Sequence, residues 1–225
     1  MSQTVSEAGD VRGLYRDLVD LHGTPERTHS EDGVRQLVTT ILSQNVADEQ
    51  TAEAARSLFE RYPDYRAVED APHEELADTI AVAGLKNQKA ERIQRALAAV
   101  REETGGEYSL AFLEAMPADE AKAWLSDIKG IGPKTASVVL NFHFDKPTFA
   151  VDTHIERVTK RFGLVPESAG NERAHDLLDE LVPDDLKYPL HVLLIRHGRE
   201  FCSAQSPDCD NPVCERYCSC AGCPD

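Results

Sequence analysis

The stretch that most restricts how this chain can fold is Gly130-Ile131-Gly132-Pro133, a break set inside a run that is otherwise helical in character. Each glycine costs about 1 kcal/mol relative to alanine in a helix interior. Pro133 then supplies a φ already set for a first helical position, and Ala136-Ser137-Val138-Val139-Leu140 continues as an apolar run. The order expected is helix, tight glycine turn, helix, spanning about 123–142. Without Cβ atoms, Gly130 and Gly132 let a partner's backbone approach closely. The unpaired N–H groups at the new helix start suit a phosphate. Lys134 falls in the first turn of that second helix.

The rest of the chain repeats one spacing. Val11, Leu14, Tyr15, Leu18 and Val19 fall at i, i+3, i+4, i+7 and i+8, and Val34, Leu37, Val38, Ile41 and Leu42 do the same. Further helices are expected from about Asp48 to Phe59, from Leu76 to Ala83, along Ala90, Ile93, Leu97 and Val100, from Ala174 to Leu181 and from Leu190 to His197. Another opens at Thr153, with Glu156 three residues on in the pattern of a capping box. No segment sustains the alternation of a strand, so the fold class is all-α with short connections.

Composition pulls against nucleic acid. The 24 Lys and Arg against 40 Asp and Glu leave a net charge of −16, which repels phosphate at long range. Arginines outnumber lysines by 16 to 8, and the acids are spread along the chain rather than gathered in a tail. That pattern suits a surface kept hydrated in concentrated salt, where a Debye length of about 3 Å at 1 M blunts repulsion. A binder under such screening depends on local contacts. No apolar run reaches the ~18 residues of a membrane span and Met1–Asp10 lacks a signal-like pattern, so the expectation is a soluble cytoplasmic protein, nucleoid-associated and without membrane contact.

All six cysteines lie between Cys202 and Cys223. In a reducing compartment such a cluster reads as a metal site rather than as disulfides. Soft thiolates suit zinc or iron–sulfur, but only Cys220 and Cys223 show the Cys-x-x-Cys spacing of a zinc knuckle.

Taken together, Gly130, Gly132, Lys134, Thr135, Ala136, Val138-Val139-Leu140-Asn141 and Val151-Asp152-Thr153-His154 resemble the helix-hairpin-helix DNA glycosylases of the endonuclease III family. The resemblance extends through Ile41-Leu42-Ser43-Gln44-Asn45, Gly84-Leu85-Lys86-Asn87-Gln88-Lys89-Ala90, His197-Gly198-Arg199 and the cysteine tail, roughly residues 30 to 220. It implies a two-lobed all-α fold: a six-helix barrel lobe over 32–142, and a second lobe of 1–31 with 143–225 that carries an iron–sulfur loop at 202–223. Relatives hold a 4Fe-4S cluster on cysteines separated by six, two and five residues. Here Cys202, Cys209, Cys214 and Cys220 are separated by six, four and five, as though Asn211-Pro212 were inserted. Preserving total length instead makes Cys218 the fourth ligand. The loop between Cys202 and Cys209 lacks the basic residues with which relatives touch phosphate, and Arg196 and Arg199 just before it are the substitutes.

The resemblance gives Lys134 and Asp152 catalytic roles and places them facing each other across a cleft. An amine can attack the sugar carbon bearing a base, expel the base and leave a Schiff base that permits strand cleavage. The positive end of the helix dipole favours the unprotonated amine this requires. Asp152 would stabilise the oxocarbenium character that develops as the base leaves, with the Thr153–Glu156 capping box relieving it of a structural duty. A base must be flipped out of the duplex and its hole filled, by Gln44 or Asn45 as an amide and by Leu85 as an apolar wedge. The expected protein is a monomeric glycosylase and abasic-site lyase that acts on double-stranded DNA containing oxidised pyrimidines or abasic sites. Its rivals are a monofunctional or mismatch-directed glycosylase with no need of Lys134, and a non-catalytic iron–sulfur module that binds DNA.

Overall fold

A computed structural model describes residues 8–27 and 29–218. Among them are twelve α-helices, three short 3-10 turns and no strand, as the unbroken 3.6-residue spacing requires. They fall into two compact units, one of residues 29–146 and the other of the described residues up to 27 with those from 147 to 218. The expected boundaries at 32 and 142 lie a few residues inside the observed ones. His143 Nδ1 lies 2.5 Å from the Ser30 carbonyl, and Lys146 Nζ donates to the Met116 carbonyl at 2.5 Å, so both flanks are tied to the 29–146 unit.

The 29–146 unit comprises α2 (Gly33–Leu42), α3 (Asp48–Arg61), α4 (Tyr65–Glu69), α5 (His73–Thr79), a 3-10 turn (Ala81–Ala83), α6 (Lys86–Glu103), a second 3-10 turn (Ala111–Ala115), α7 (Ala118–Asp127) and α8 (Pro133–Phe144). Its core gathers the apolar stripes that the spacing predicted, including Leu37, Ile41, Leu58, Ile93, Leu97 and Leu140. The helix expected over Leu76–Ala83 begins earlier, at His73, and its last turn tightens into the 3-10 turn. The short α4 has only Val68 buried, too few apolar positions for a period to show.

The other unit holds α1 (Ala8–His22), α9 (Thr153–Arg161), α10 (Asn171–Leu181), a 3-10 turn (Asp184–Leu186), α11 (Lys187–Glu200) and α12 (Pro212–Tyr217). α11 starts three residues before the expected Leu190, because Pro189 sits in its first turn where a backbone N–H has no helical acceptor to lose. α9 and α11 pack closely at Gly198, where a Cβ would stand 2.9 Å from the Cβ of His154. Among the described residues no helix is long and apolar enough to cross a membrane.

Candidate nucleic-acid and catalytic site

The hairpin forms where the glycines demand it. α7 ends at Asp127, Gly130 takes φ +102°, and α8 begins at Pro133 with Gly132 as its N-cap in ordinary extended geometry. The two glycines do different work. A Cβ on Gly130 would lie 2.7 Å from Cγ of Arg92, whereas one on Gly132 would meet nothing within 4 Å. Gly130 is therefore needed by this chain's own packing, and Gly132 leaves an open face at a helix start whose N–H groups lack intrahelical acceptors. Lys134, half-buried, stands in the first turn of α8.

α6 buttresses this hairpin. Arg92 crosses Gly130 and donates from Nη1 to Gln44 Oε1 at 2.5 Å, and Gln44 Nε2 donates to Thr135 Oγ1 at 3.1 Å. Arg95 Nη1 donates to the Lys129 carbonyl at 3.1 Å. Gln44 is thus held at both ends by its own unit. Asn45 beside it is exposed in a left-handed conformation with φ 55°.

Leu85 also occupies the left-handed region, at φ 46°, as the N-cap of α6. It is 50% exposed, the exposed large hydrophobic side chain among the described residues. A left-handed non-glycine residue costs about 1–2 kcal/mol, and leaving half of a leucine in water forgoes about half of the ~1.5–3 kcal/mol of full burial. Such paired local costs are expected where function requires them.

Sequence reasoning missed Lys89 and Arg92. Lys89 is fully buried in the apolar stripe of α6, with Nζ donating to the carbonyls of Leu42 at 2.7 Å and Ala83 at 2.6 Å. Burial, with the positive charge of Arg92 added, holds its ammonium below the ordinary lysine range. Its signal was present: Lys89 is in helical register with Ile93, Leu97 and Val100, a lysine where an apolar residue belongs.

In the second unit, Asp152 is itself the N-cap of α9, its Oδ1 accepting from the Ile155 N–H at 2.8 Å. This corrects the expectation that Thr153 caps with Glu156 reaching back. Asp152 carries the extended φ/ψ of a cap, and Glu156 turns instead to Lys160 and Asn171, which hold its carboxyl below the usual range. The cap uses one oxygen of the Asp152 carboxylate and fixes the direction of the other.

Cys202, Cys209, Cys214 and Cys218 are all buried and unbridged, while Cys220 and Cys223 lie outside the described residues. Asn211-Pro212 starts α12: Asn211 caps it by accepting from the Cys214 N–H at 2.9 Å, and Pro212 is its first residue. Cys214 and Cys218 consequently stand one helical turn apart. Burial pushes the Cys214 thiol up to about 12, opposed by Asn211 and reinforced by the charges of Cys209, Cys218 and Cys202, and all four cysteines belong to one buried cluster. Among the described residues no three His, Cys, Asp or Glu side chains converge as a single-ion site. Arg161 Nη1 donates to Cys202 Sγ at 3.1 Å and Arg157 Nε to the Cys202 carbonyl at 2.7 Å. His197 Nε2 lies 3.4 Å from Cys214 Sγ. Arg196, expected at phosphate, donates to the His22 carbonyl at 2.7 Å, whereas Arg199 is exposed.

Two helices hinged on an exposed glycine turn, braced from behind by α6, make this a helix-hairpin-helix protein. The HhH-GPD superfamily base excision DNA repair family matches residues 38–184, and the chain belongs to that family. It is 35% identical to the endonuclease III of Thermotoga maritima over 92% of both chains, and 34% identical to that of Escherichia coli (strain K12) over 81% of each. Among solved structures it is similar to a trapped endonuclease III–DNA covalent intermediate with an estranged adenine, with a TM-score of 0.80 at 28% identity, covering 94% of this chain and 95% of that one.

Proposed function

We propose that this protein is a base excision repair enzyme, a DNA glycosylase with abasic-site lyase activity directed at oxidised pyrimidines in double-stranded DNA. The observation that carries the reading is Lys134 in the first turn of α8, directly behind the open face at Gly132. Its relatives named endonuclease III, and the covalent DNA complex of one such enzyme, support it.

In the proposed reaction the Lys134 amine attacks C1′ of the damaged nucleoside. The glycosidic C–N bond breaks, its electron pair leaves with the base, and the base takes up a proton as it departs. The Asp152 carboxylate stabilises positive charge on the sugar while the bond breaks, its direction set by the cap on α9. The bound nitrogen gives up one proton, its lone pair then breaks the C1′–O4′ bond, O4′ takes up a proton as the sugar ring opens, and a protonated iminium remains at C1′. Removal of a C2′ proton then expels the 3′ phosphate by β-elimination. Asn45 fills the space of the flipped base while Gln44 stays in the Arg92–Gln44–Thr135 chain, and Leu85 wedges the base step.

The thiol set fits a 4Fe-4S cluster better than zinc, since four soft donors share one buried cluster and none of them has the Cys-x-x-Cys spacing of a zinc knuckle. Cys202, Cys209 and Cys214 would hold it, with Cys218, buried one turn from Cys214 at the C-cap of α12, as the fourth ligand and Cys220 as the alternative. The cluster would supply a structural staple for a loop with little core of its own, and Arg161 and His197 would donate toward its sulfurs.

Borohydride reduction in the presence of abasic or lesion-bearing duplex tests the mechanism. Wild type is expected to form a trapped covalent complex and Lys134→Ala none. Trapping of Lys134→Ala at the wild-type level assigns the nucleophile elsewhere.

A further inference from the structure

We propose that Lys89 is a positioning residue, a buried ammonium that locks the turns bearing Asn45 and Leu85 to each other so that both side chains meet DNA as one rigid pair. The proposal rests on the reading that those two residues fill and wedge the gap. Lysines at a helix surface ordinarily run their stems along apolar neighbours and keep the charge in water. Lys89 does the opposite, being wholly buried on the core stripe of α6. A buried charge is costly unless paired, and here the pairing is with two main-chain oxygens rather than a carboxylate. Leu42 is the last residue of α2 and Ala83 the last of the 3-10 turn before α6, so both oxygens are helix-end carbonyls without intrahelical donors.

The positions of those carbonyls give the clamp its meaning. Leu42 stands three residues before Asn45 and Ala83 two before Leu85, and Asn45 and Leu85 are two of the three non-glycine residues with positive φ among those described. Left-handed turns of this kind persist only where their surroundings over-determine them. One cation tied to both turns does so, and neither can relax without breaking a bond that also holds the other. Arg92, one turn further along α6, joins the first turn through Gln44 to Thr135 of the hairpin. α6 thereby holds both turns and the hairpin on one rigid element. Side chains ordered before binding need no ordering during it, so less of the binding free energy is spent on the insertion step.

A double-mutant cycle tests this. Single-turnover base release from a thymine glycol duplex is measured for wild type, Lys89→Met, Asn45→Ala/Leu85→Ala and the combination, at a temperature where circular dichroism shows each folded. Lys89→Met is expected to slow release at least tenfold in the wild-type background and less than threefold once Asn45 and Leu85 are gone. The fluorescence rise of 2-aminopurine opposite the lesion should be lost in Lys89→Met, while affinity for an undamaged duplex stays within twofold. An equal loss in both backgrounds, or no loss in either, overturns the proposal, because support of the core alone does not depend on Asn45 and Leu85. Undiminished release by Asn45→Ala/Leu85→Ala instead overturns the gap-filling reading and this proposal with it. Should Lys89→Met not fold, Lys89→Gln replaces it, and amide exchange in wild type gives a direct measure. Residues 43–46 and 84–86 are expected to open with the same urea dependence, and different dependences refute the clamp.

Discussion

Replacing Gly130 and Gly132 separately with alanine distinguishes a glycine the fold requires from one the DNA requires. At Gly130 an alanine must hold φ +102°, outside the region open to a side chain, at a cost of about 1–3 kcal/mol. Its Cβ would also stand 2.7 Å from Arg92 Cγ, near the root of that side chain, so Arg92 must shift and strain its bond to Gln44. A charge-assisted hydrogen bond contributes about 1.5–3 kcal/mol when buried and less at this half-exposed site. Together these give a loss of about 2–4 kcal/mol for Gly130→Ala. At Gly132, φ is −91° and nothing lies within 4 Å of a new Cβ. The weaker cap of an alanine is offset by about 0.4–1 kcal/mol from a less flexible unfolded chain, so Gly132→Ala should change stability by less than about 1 kcal/mol. The new methyl would stand where a phosphate must approach, and affinity for a duplex with a tetrahydrofuran abasic analogue should fall about tenfold, equivalent to about 1.4 kcal/mol. Urea unfolding followed by circular dichroism gives the first pair of numbers and fluorescence anisotropy the second. Equal destabilisation by the two substitutions would refute the division of labour, and wild-type DNA affinity in Gly132→Ala would remove the open face from the binding surface.

Asp152→Asn should keep the α9 cap, since asparagine caps as well as aspartate, yet slow base release at least tenfold; Asp152→Ala should in addition lower unfolding free energy by about 1 kcal/mol. An undiminished single-turnover rate for Asp152→Asn would leave Asp152 as a cap alone. Anaerobically purified protein should be brown with four irons per chain, and Cys202→Ser, Cys209→Ser, Cys214→Ser and Cys218→Ser should each lose the absorbance while Cys220→Ser keeps it; a colourless protein with one zinc would sink the assignment. With −16 net charge, DNA cleavage and helicity should hold or rise from about 0.1 M to above 1 M potassium chloride as repulsion is screened. A steep monotonic fall in activity from low salt would show that a local basic face outweighs the acidic surplus.

Much of the fold lay in local pattern. A helix is stabilised by contacts three and four residues apart, so Val34, Leu37, Val38, Ile41 and Leu42 announced α2 without knowledge of their partners. Gly130 to Pro133 likewise announced a turn and a restart, because backbone restrictions act residue by residue. Caps were harder: Asp152 and Thr153 are both good capping residues, and backbone dihedrals rather than composition chose Asp152. That Cys218 stands one turn from Cys214 follows from α12, a helix too short to leave a period of its own. The register of Lys89 on the stripe of α6 was legible, but its pairing was not, since that depends on the Leu42 carbonyl, 47 residues away in sequence, arriving beside that of Ala83. Local propensity acts over a few bonds and can be read in one dimension. The satisfaction of a buried charge depends on which chain ends packing brings together, and that exists only in three.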